Sequence, residues 1–319
     1  MANELKGVYV IALTPLDAKR QLDLQSLENL IDYYLEAGVD GFTVLGEVSE
    51  AGKLSKNEQQ QIVETAIGHV GGKVPVVVGI SRESTDLVVD AAGWAQDLGA
   101  SALMVAPPKN LKLRDDAMFS HYAALGDEVN IPVVVQDEPE SSHPLMSAEL
   151  LARIFTEVPR AKYLKLEDTP TPAKILRLRE LTDDRIKIFG GTHGRWFLWE
   201  IDSGSVGIMT GSPTPEYLVQ IWREHRRGQR EKAKQIFFYN QALTWFYPEM
   251  AVAVKKEVLV QRGVIKTALL KQPAGEFTDL ERRELAEVLE WVEEKVRTNA
   301  GVSPLRGSGS GPDRPKRRR

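Results

Sequence analysis

Residues 163–212, YLKLEDTPTPAKILRLRELTDDRIKIFGGTHGRWFLWEIDSGSVGIMTGS, decide the fold. Three short apolar runs, at 163–166, 186–189 and 206–209, are separated by stretches 171–181 and 194–203, whose apolar residues return at helical spacing. Ser203-Gly204 closes the second stretch as a helix C-cap does, because glycine takes the left-handed conformation without a side-chain clash. Upstream, the same unit repeats. Runs at 8–13, 41–45, 74–78, 102–105 and 132–135 bring the total to eight. Helix-period stretches at 24–36, 56–70, 85–98, 115–127 and 147–157 lie between them, with Ala37-Gly38 and Leu98-Gly99 as stops. Eight strands alternating with helices predict an α/β protein, a (β/α)8 TIM barrel, over an open sheet.

After the eighth run only helical signals follow, an eighth helix near 216–225 and then segments 231–243, 248–263 and 278–297. This predicts a barrel over 1–225, a C-terminal helical region over 226–300 and a disordered basic tail over 301–319. The tail reading rests on its last thirteen residues, a Gly-Ser-Gly-Ser-Gly run and a Pro-Asp-Arg-Pro-Lys-Arg-Arg-Arg end, which have nothing to bury.

The composition excludes several classes. An apolar content of 42% in 319 residues can build a core. Zero cysteine excludes thiolate metal sites, a thiol nucleophile and redox switching. The net charge is −4, and the seven terminal residues carry +4, so the remainder carries −8. An acidic body argues against a nucleic-acid surface on the folded part. No run of about 18 apolar residues suggests a membrane span, and Met-Ala-Asn-Glu-Leu-Lys has no apolar core of a secretory signal, so a cytoplasmic protein is expected. The five histidines show no paired ligand spacing, and no phosphate-loop or dinucleotide motif occurs, so neither a metal nor a cofactor is expected.

Barrel active sites gather at the C-terminal ends of the strands. In Tyr163-Leu164-Lys165-Leu166-Glu167 the side chains alternate, and the outer face of a barrel strand packs on helices. Leu164 and Leu166 therefore point out, and Tyr163, Lys165 and Glu167 point in. An inward lysine is either an amine nucleophile, made available by desolvation, or half of a buried ion pair with Glu167 or Asp168. The other strand ends offer Glu47, Val48 and Ser49; Lys109; Asp137 and Glu138; Gly191, Thr192 and His193; and Thr210. His193 reads either as a proton donor or as a helix-start residue facing solvent. The glycines at 190, 191 and 211 would suit a phosphate site, but those stretches hold no lysine or arginine.

The stretches Asp40-Gly41-Phe42-Thr43-Val44-Leu45-Gly46-Glu47-Val48-Ser49-Glu50, Val74-Pro75-Val76-Val77-Val78-Gly79, Ile131-Pro132-Val133-Val134-Val135 and Tyr163-Leu164-Lys165 together resemble the dihydrodipicolinate synthase / N-acetylneuraminate lyase family of class I aldolases, from about residue 7 to 297. The resemblance implies a barrel with a helical extension, commonly a tetramer, and a Schiff base between Lys165 and pyruvate or a related 2-oxo acid.

The departures from that family are as informative. Its Gly-Thr-Thr-Gly-Glu stretch, which holds the substrate carboxylate, is here Gly46-Glu47-Val48-Ser49-Glu50, leaving backbone N–H groups for that task. Its acid/base tyrosine at the end of strand five is missing. A divergent branch reads Gln-Asp-Tyr-Pro there, and Glu138 stands in the tyrosine's place. A buried carboxyl can shuttle protons. The tyrosine pair after strand four is replaced by Pro108-Lys109, and the acidic pair of the sialic acid enzyme after strand seven by Thr192-His193.

The expectation is therefore a Schiff-base lyase acting on a small-molecule carbonyl substrate, and not a dihydrodipicolinate synthase. Lys165 and Glu138 are catalytic in this reading. Glu47, Val48, Ser49, Lys109, Asp137, Gly191, Thr192, His193 and Thr210 bind substrate, and the chain forms a homo-oligomer, tetramer or dimer. The competing reading is a barrel of the same family that binds a ligand without aldol chemistry.

Overall fold

In a computed structural model of the chain, residues 4–142, 144–246 and 248–307 are described. Eight parallel strands close into a barrel in chain order, the eighth pairing with the first. They are β1 (Gly7–Ile11), β2 (Gly41–Val44), β3 (Val76–Gly79), β4 (Ala102–Val105), β5 (Val133–Asp137), β6 (Ala161–Leu166), β7 (Lys187–Gly190) and β8 (Gly207–Thr210). Around them lie α1 (Leu24–Ala37), α2 (Lys56–Val70), α3 (Thr85–Asp97), α4 (Asp115–Glu128), a short α5 (Pro139–Ser142), α6 (Ala148–Glu157), α7 (Thr171–Leu181), α8 (Phe197–Asp202) and α9 (Pro215–Arg226). Serines 55, 84 and 147 cap three of these helices, each accepting from a backbone N–H of the first turn.

Strand alternation sorts the apolar residues into two cores. Tyr9, Val77, Met104, Val134, Tyr163, Phe189 and Met209 fill the barrel interior. Leu164 and Leu166 belong to the outer core between sheet and helices. The inward and outward faces of β6 are thus as the sequence implies.

Some boundaries moved. β5 runs through Gln136 and Asp137, two residues further than the apolar run, because its pairing continues beside β6 at Gln136↔Lys165 and Asp137↔Leu166. The stretch 194–203 is not one helix. A 3-10 turn, Thr192–Gly194, precedes α8, because Thr192 and His193 have φ of 43° and 56°, outside the helical region.

The C-terminal extension comprises α10 (Arg230–Thr244), α11 (Ala251–Gln261) and α12 (Asp279–Ala300). Arg262 fastens it to the barrel: its fully buried guanidinium donates to Glu216 Oε1 at 2.8 Å and Glu293 Oε1 at 3.1 Å, and also to the Tyr33 hydroxyl. Lys256 of α11, equally buried, donates to Glu50 Oε2 at 2.8 Å and to the Leu269 carbonyl at 2.8 Å. A buried cation needs such partners, since an unpaired one is expensive to desolvate. These contacts fix α11 beside the loop after β2, at the C-terminal ends of the strands.

Residues 301–307, read from sequence as the start of the tail, pack on the extension: Val302 is buried, and Arg306 pairs with Glu293 at 2.6 Å. Residues 308–319 lie outside the described residues. Among the described residues, no helix is long and apolar enough to cross a membrane.

Candidate active site

A cavity of about 730 Å³ opens at the C-terminal strand ends and is bounded by α11 and the 270–275 segment. Ile11, Glu47, Val48, Gln136, Glu138, Lys165, Glu167, His193 and Thr210 line it, facing Met250, Val252 and Leu270 from the extension. Of the expected residues it brings together Lys165, Glu138, Glu47, Val48, His193 and Thr210.

Lys165 is the centre of this group. Its side chain is 3% exposed, and Nζ lies 2.5 Å from Glu167 Oε2. The ion pair anticipated from sequence therefore exists, and it is with Glu167; Asp168 instead accepts from Lys174 at 2.8 Å. The pair is not sealed in the core, because both residues line the cavity. Glu167 is held in place from two sides. Gln136 Nε2 donates to Oε2 at 2.9 Å, and the Thr192 N–H donates to Oε1 at 2.8 Å. A Cβ at Gly191 would fall on Glu167 Cγ, so only glycine leaves room for this carboxylate. A carboxylate within hydrogen-bond reach of the amine can take its proton.

Several expected substrate contacts do not line the cavity. Asp137 faces outward, where its Oδ2 accepts from Lys174 at 2.7 Å. Burial raises its carboxyl to about 6 despite that lysine. Successive strand side chains point to opposite faces, so Asp137 lies opposite Gln136, and it does not line the cavity. The Ser49 hydroxyl is buried and donates to the Ala12 carbonyl at 2.6 Å, so it is bound into the loop. The N–H groups of Ser49 and Glu50 close the turn on Gly46 and Glu47, which leaves those of Glu47 and Val48 at its open end among the described residues. Lys109 sits outside the cavity and pairs with Glu47 at 2.6 Å, which offsets the negative charge at the rim. Gly191 and Thr192 act on Glu167, not on the cavity. Glu50 φ is 58° and its buried carboxylate accepts from Lys256, a structural role.

His193 is half-buried, not a solvent-facing helix start. Its Nδ1 lies 3.1 Å from Lys255 Nζ. Burial lowers Lys255 to about 7. The positive charge of Lys255, followed by burial, holds the imidazole well below its usual range, so His193 is neutral. On the other side of Gly190 and Gly191, Glu200 is fully buried and accepts from the Thr171 hydroxyl at 2.7 Å. Burial raises it to about 8.

Sequence reasoning gave Glu167 as the inward partner two residues from Lys165 and missed three other residues in their roles. Gln136 was hidden by ending β5 early. Lys255 and Glu200 carry no local signal, since each reaches the site from a helix whose docking only the tertiary structure sets.

The chain is thus a closed parallel barrel with a buried lysine–carboxylate pair facing a cavity at its strand ends. The chain belongs to the dihydrodipicolinate synthetase family, whose model matches residues 4–292; it is an enzyme of the lyase class. It is 29% identical over 290 residues to L-2-keto-3-deoxyarabonate dehydratase of Azospirillum brasilense, spanning 88% of this chain and 92% of that one. It is 25% identical over 292 residues to 4-hydroxy-tetrahydrodipicolinate synthase of Methanopyrus kandleri, spanning 89% and 97%. The solved dihydrodipicolinate synthase of Rhodopseudomonas palustris superposes with a TM-score of 0.85 at 28% identity, over 90% of this chain and 97% of that one.

Proposed function

We propose that the protein is an imine-forming lyase for a 2-oxo acid, with Lys165 as the nucleophile. The observation that carries this reading is the Lys165–Glu167 pair at 2.5 Å, facing a cavity large enough for a small acid. Glu167 accepts a proton from the ammonium, and the freed Nζ adds to the 2-oxo carbon. Loss of the carbonyl oxygen as water gives the iminium, which draws electrons from the adjacent carbon and permits a bond further along the chain to break. The open N–H groups of Glu47 and Val48 suit the substrate carboxylate. Glu138, on the cavity wall, is the acid/base for the steps after imine formation.

Dihydrodipicolinate synthesis is not the reaction in this reading. Among the described residues no tyrosine lines the cavity, and the hydroxyl pair of that enzyme is replaced by Glu47 and Val48. The similarity to a dehydratase for a 2-keto-3-deoxy acid supports a hydroxylated 2-oxo acid as substrate. The expected loss of the family's threonine pair and of its tyrosine, with Glu138 in the tyrosine's place, favours a ligand-binding barrel without turnover. Cytoplasmic location and a homo-oligomer, tetramer or dimer, belong to the same proposal.

Borohydride trapping with pyruvate and a panel of 2-oxo acids, read by intact mass and peptide mapping, tests it. A ligand-sized adduct on Lys165 is expected. Folded protein that yields no adduct with any member of the panel would replace this reading with the ligand-binding barrel.

A further inference from the structure

Lys255 is a second buried lysine at this site. Its side chain comes from α11, in the extension, and residue exposure is 6%. It has no carboxylate partner among the hydrogen bonds and ion pairs of the described residues; Nζ meets His193 Nδ1 at 3.1 Å and the Ala251 carbonyl at 3.2 Å. With Lys255 as the ammonium, the state in which it starts the relay, Nζ has only hydrogens to offer, so Nδ1 is then the acceptor and the ring proton resides on Nε2. His193 lines the main cavity. It also lines a small polar pocket of about 20 Å³ shared with Lys255, Ser212 and Thr214, with room for one water. Lys255 occupies Nδ1, which leaves Nε2 as the nitrogen able to meet a substrate. The left-handed backbone at Thr192 and His193 is a strained means of aiming this ring, and such strain collects at working sites.

We propose that Lys255 and His193 form a proton relay that supplies the proton taken up by a departing substrate hydroxyl, which makes the reaction a dehydration. This rests on the imine reading above. Once the iminium has lost a proton from its 3-carbon, the enamine electrons expel the hydroxyl of the 4-carbon. The carbon–oxygen bond breaks, and its electron pair leaves with oxygen. Oxygen takes the Nε2 proton, Nδ1 takes a proton from the Lys255 ammonium, and the products are water, a conjugated iminium and a neutral Lys255 amine. The imidazole stays neutral throughout and changes only its tautomer. That suits a ring whose protonated form the site disfavours, and the lowered affinity of Lys255 for its proton makes it a competent donor near neutral pH. The charges of Arg195 and Lys165 act on the imidazole and that of Arg195 on Lys255, while Glu47, Glu138 and Glu167 line the same cavity as His193.

The test uses the full chain and two probes, 4-hydroxy-2-oxopentanoate and 4-fluoro-2-oxopentanoate. Fluoride departs without needing a proton. Lys255→Met should lower elimination of the hydroxyl by about 10²-fold, change loss of fluoride by less than about threefold, and leave borohydride trapping at Lys165 intact. The ¹⁵N shifts of His193 should report the Nε2–H tautomer in the parent and lose that preference in the variant. Equal slowing of both probes, no slowing of either, or an Nδ1–H tautomer in the parent overturns the relay alone. Absence of a trapped adduct in the parent overturns the imine reading and the relay with it. Release of acetaldehyde and pyruvate in place of the unsaturated acid overturns the dehydration while leaving the imine.

Discussion

Lys165 and Glu167, two residues apart on one strand, meet at 2.5 Å on the cavity side of the barrel. The two-residue period of a strand puts both on one face. Gln136 of β5 and the Thr192 N–H in the turn after β7 then fix the carboxylate. Glu167→Gln should therefore slow imine formation by about 10²-fold while the barrel stays folded. Lys165→Ala should abolish trapping. Borohydride capture timed on both variants, with circular dichroism as the folding control, checks this pair of outcomes.

Gly191 leaves the space that Glu167 occupies. Gly191→Ala should displace the carboxylate and depress imine formation nearly as much as Glu167→Gln. A rate equal to that of the parent would show that the carboxylate's position does not matter.

Glu138 lines the same cavity as Lys165. Glu138→Gln should reduce turnover by at least about tenfold and leave the Lys165 adduct unaffected. Unchanged turnover removes this residue from the mechanism.

The Ser49 hydroxyl is committed to the Ala12 carbonyl at 2.6 Å. Ser49→Ala should cost about 1–3 kcal/mol, the usual penalty for a buried acceptor left unpaired. Chemical denaturation measures it. The trapping rate at saturating pyruvate should hardly change, which separates a structural hydroxyl from a substrate ligand.

Glu200 gives a pH signature. Its carboxyl is held at about 8 in the folded protein, against an ordinary value of 4.5. Below the ordinary value both states carry the proton. As pH rises toward 8 the unfolded chain gives it up first, so the folded state loses stability, by a few kcal/mol in order of magnitude. Glu200→Gln keeps an acceptor for Thr171 and has no charge to acquire. Thermal melts from pH 5 to 8.5 should fall less steeply for the variant, and it should be the more stable form at the upper end.

The barrel was legible because its signal is local and repeated. Each strand needs only a short apolar run, each helix only one apolar stripe, and residues 163–212 display three strands with their intervening helices in order. Lys165 was legible for the same reason, since alternation on β6 assigns its face without knowledge of any neighbour. Asp137 failed that test: with β5 ended too early, its face was not counted, and it packs against Lys174 outside the barrel.

What the sequence determined by itself was the order of strands and helices and the inward lysine with its glutamate. What the tertiary structure decided was everything that depends on residues far apart in the chain. Lys255 reaches His193 across 62 positions, and Lys256 reaches Glu50 across 206. Periodicity encodes which face of an element is buried, whereas the docking of α11 over the barrel mouth is settled by the summed packing of the extension and the pairing of its buried cations.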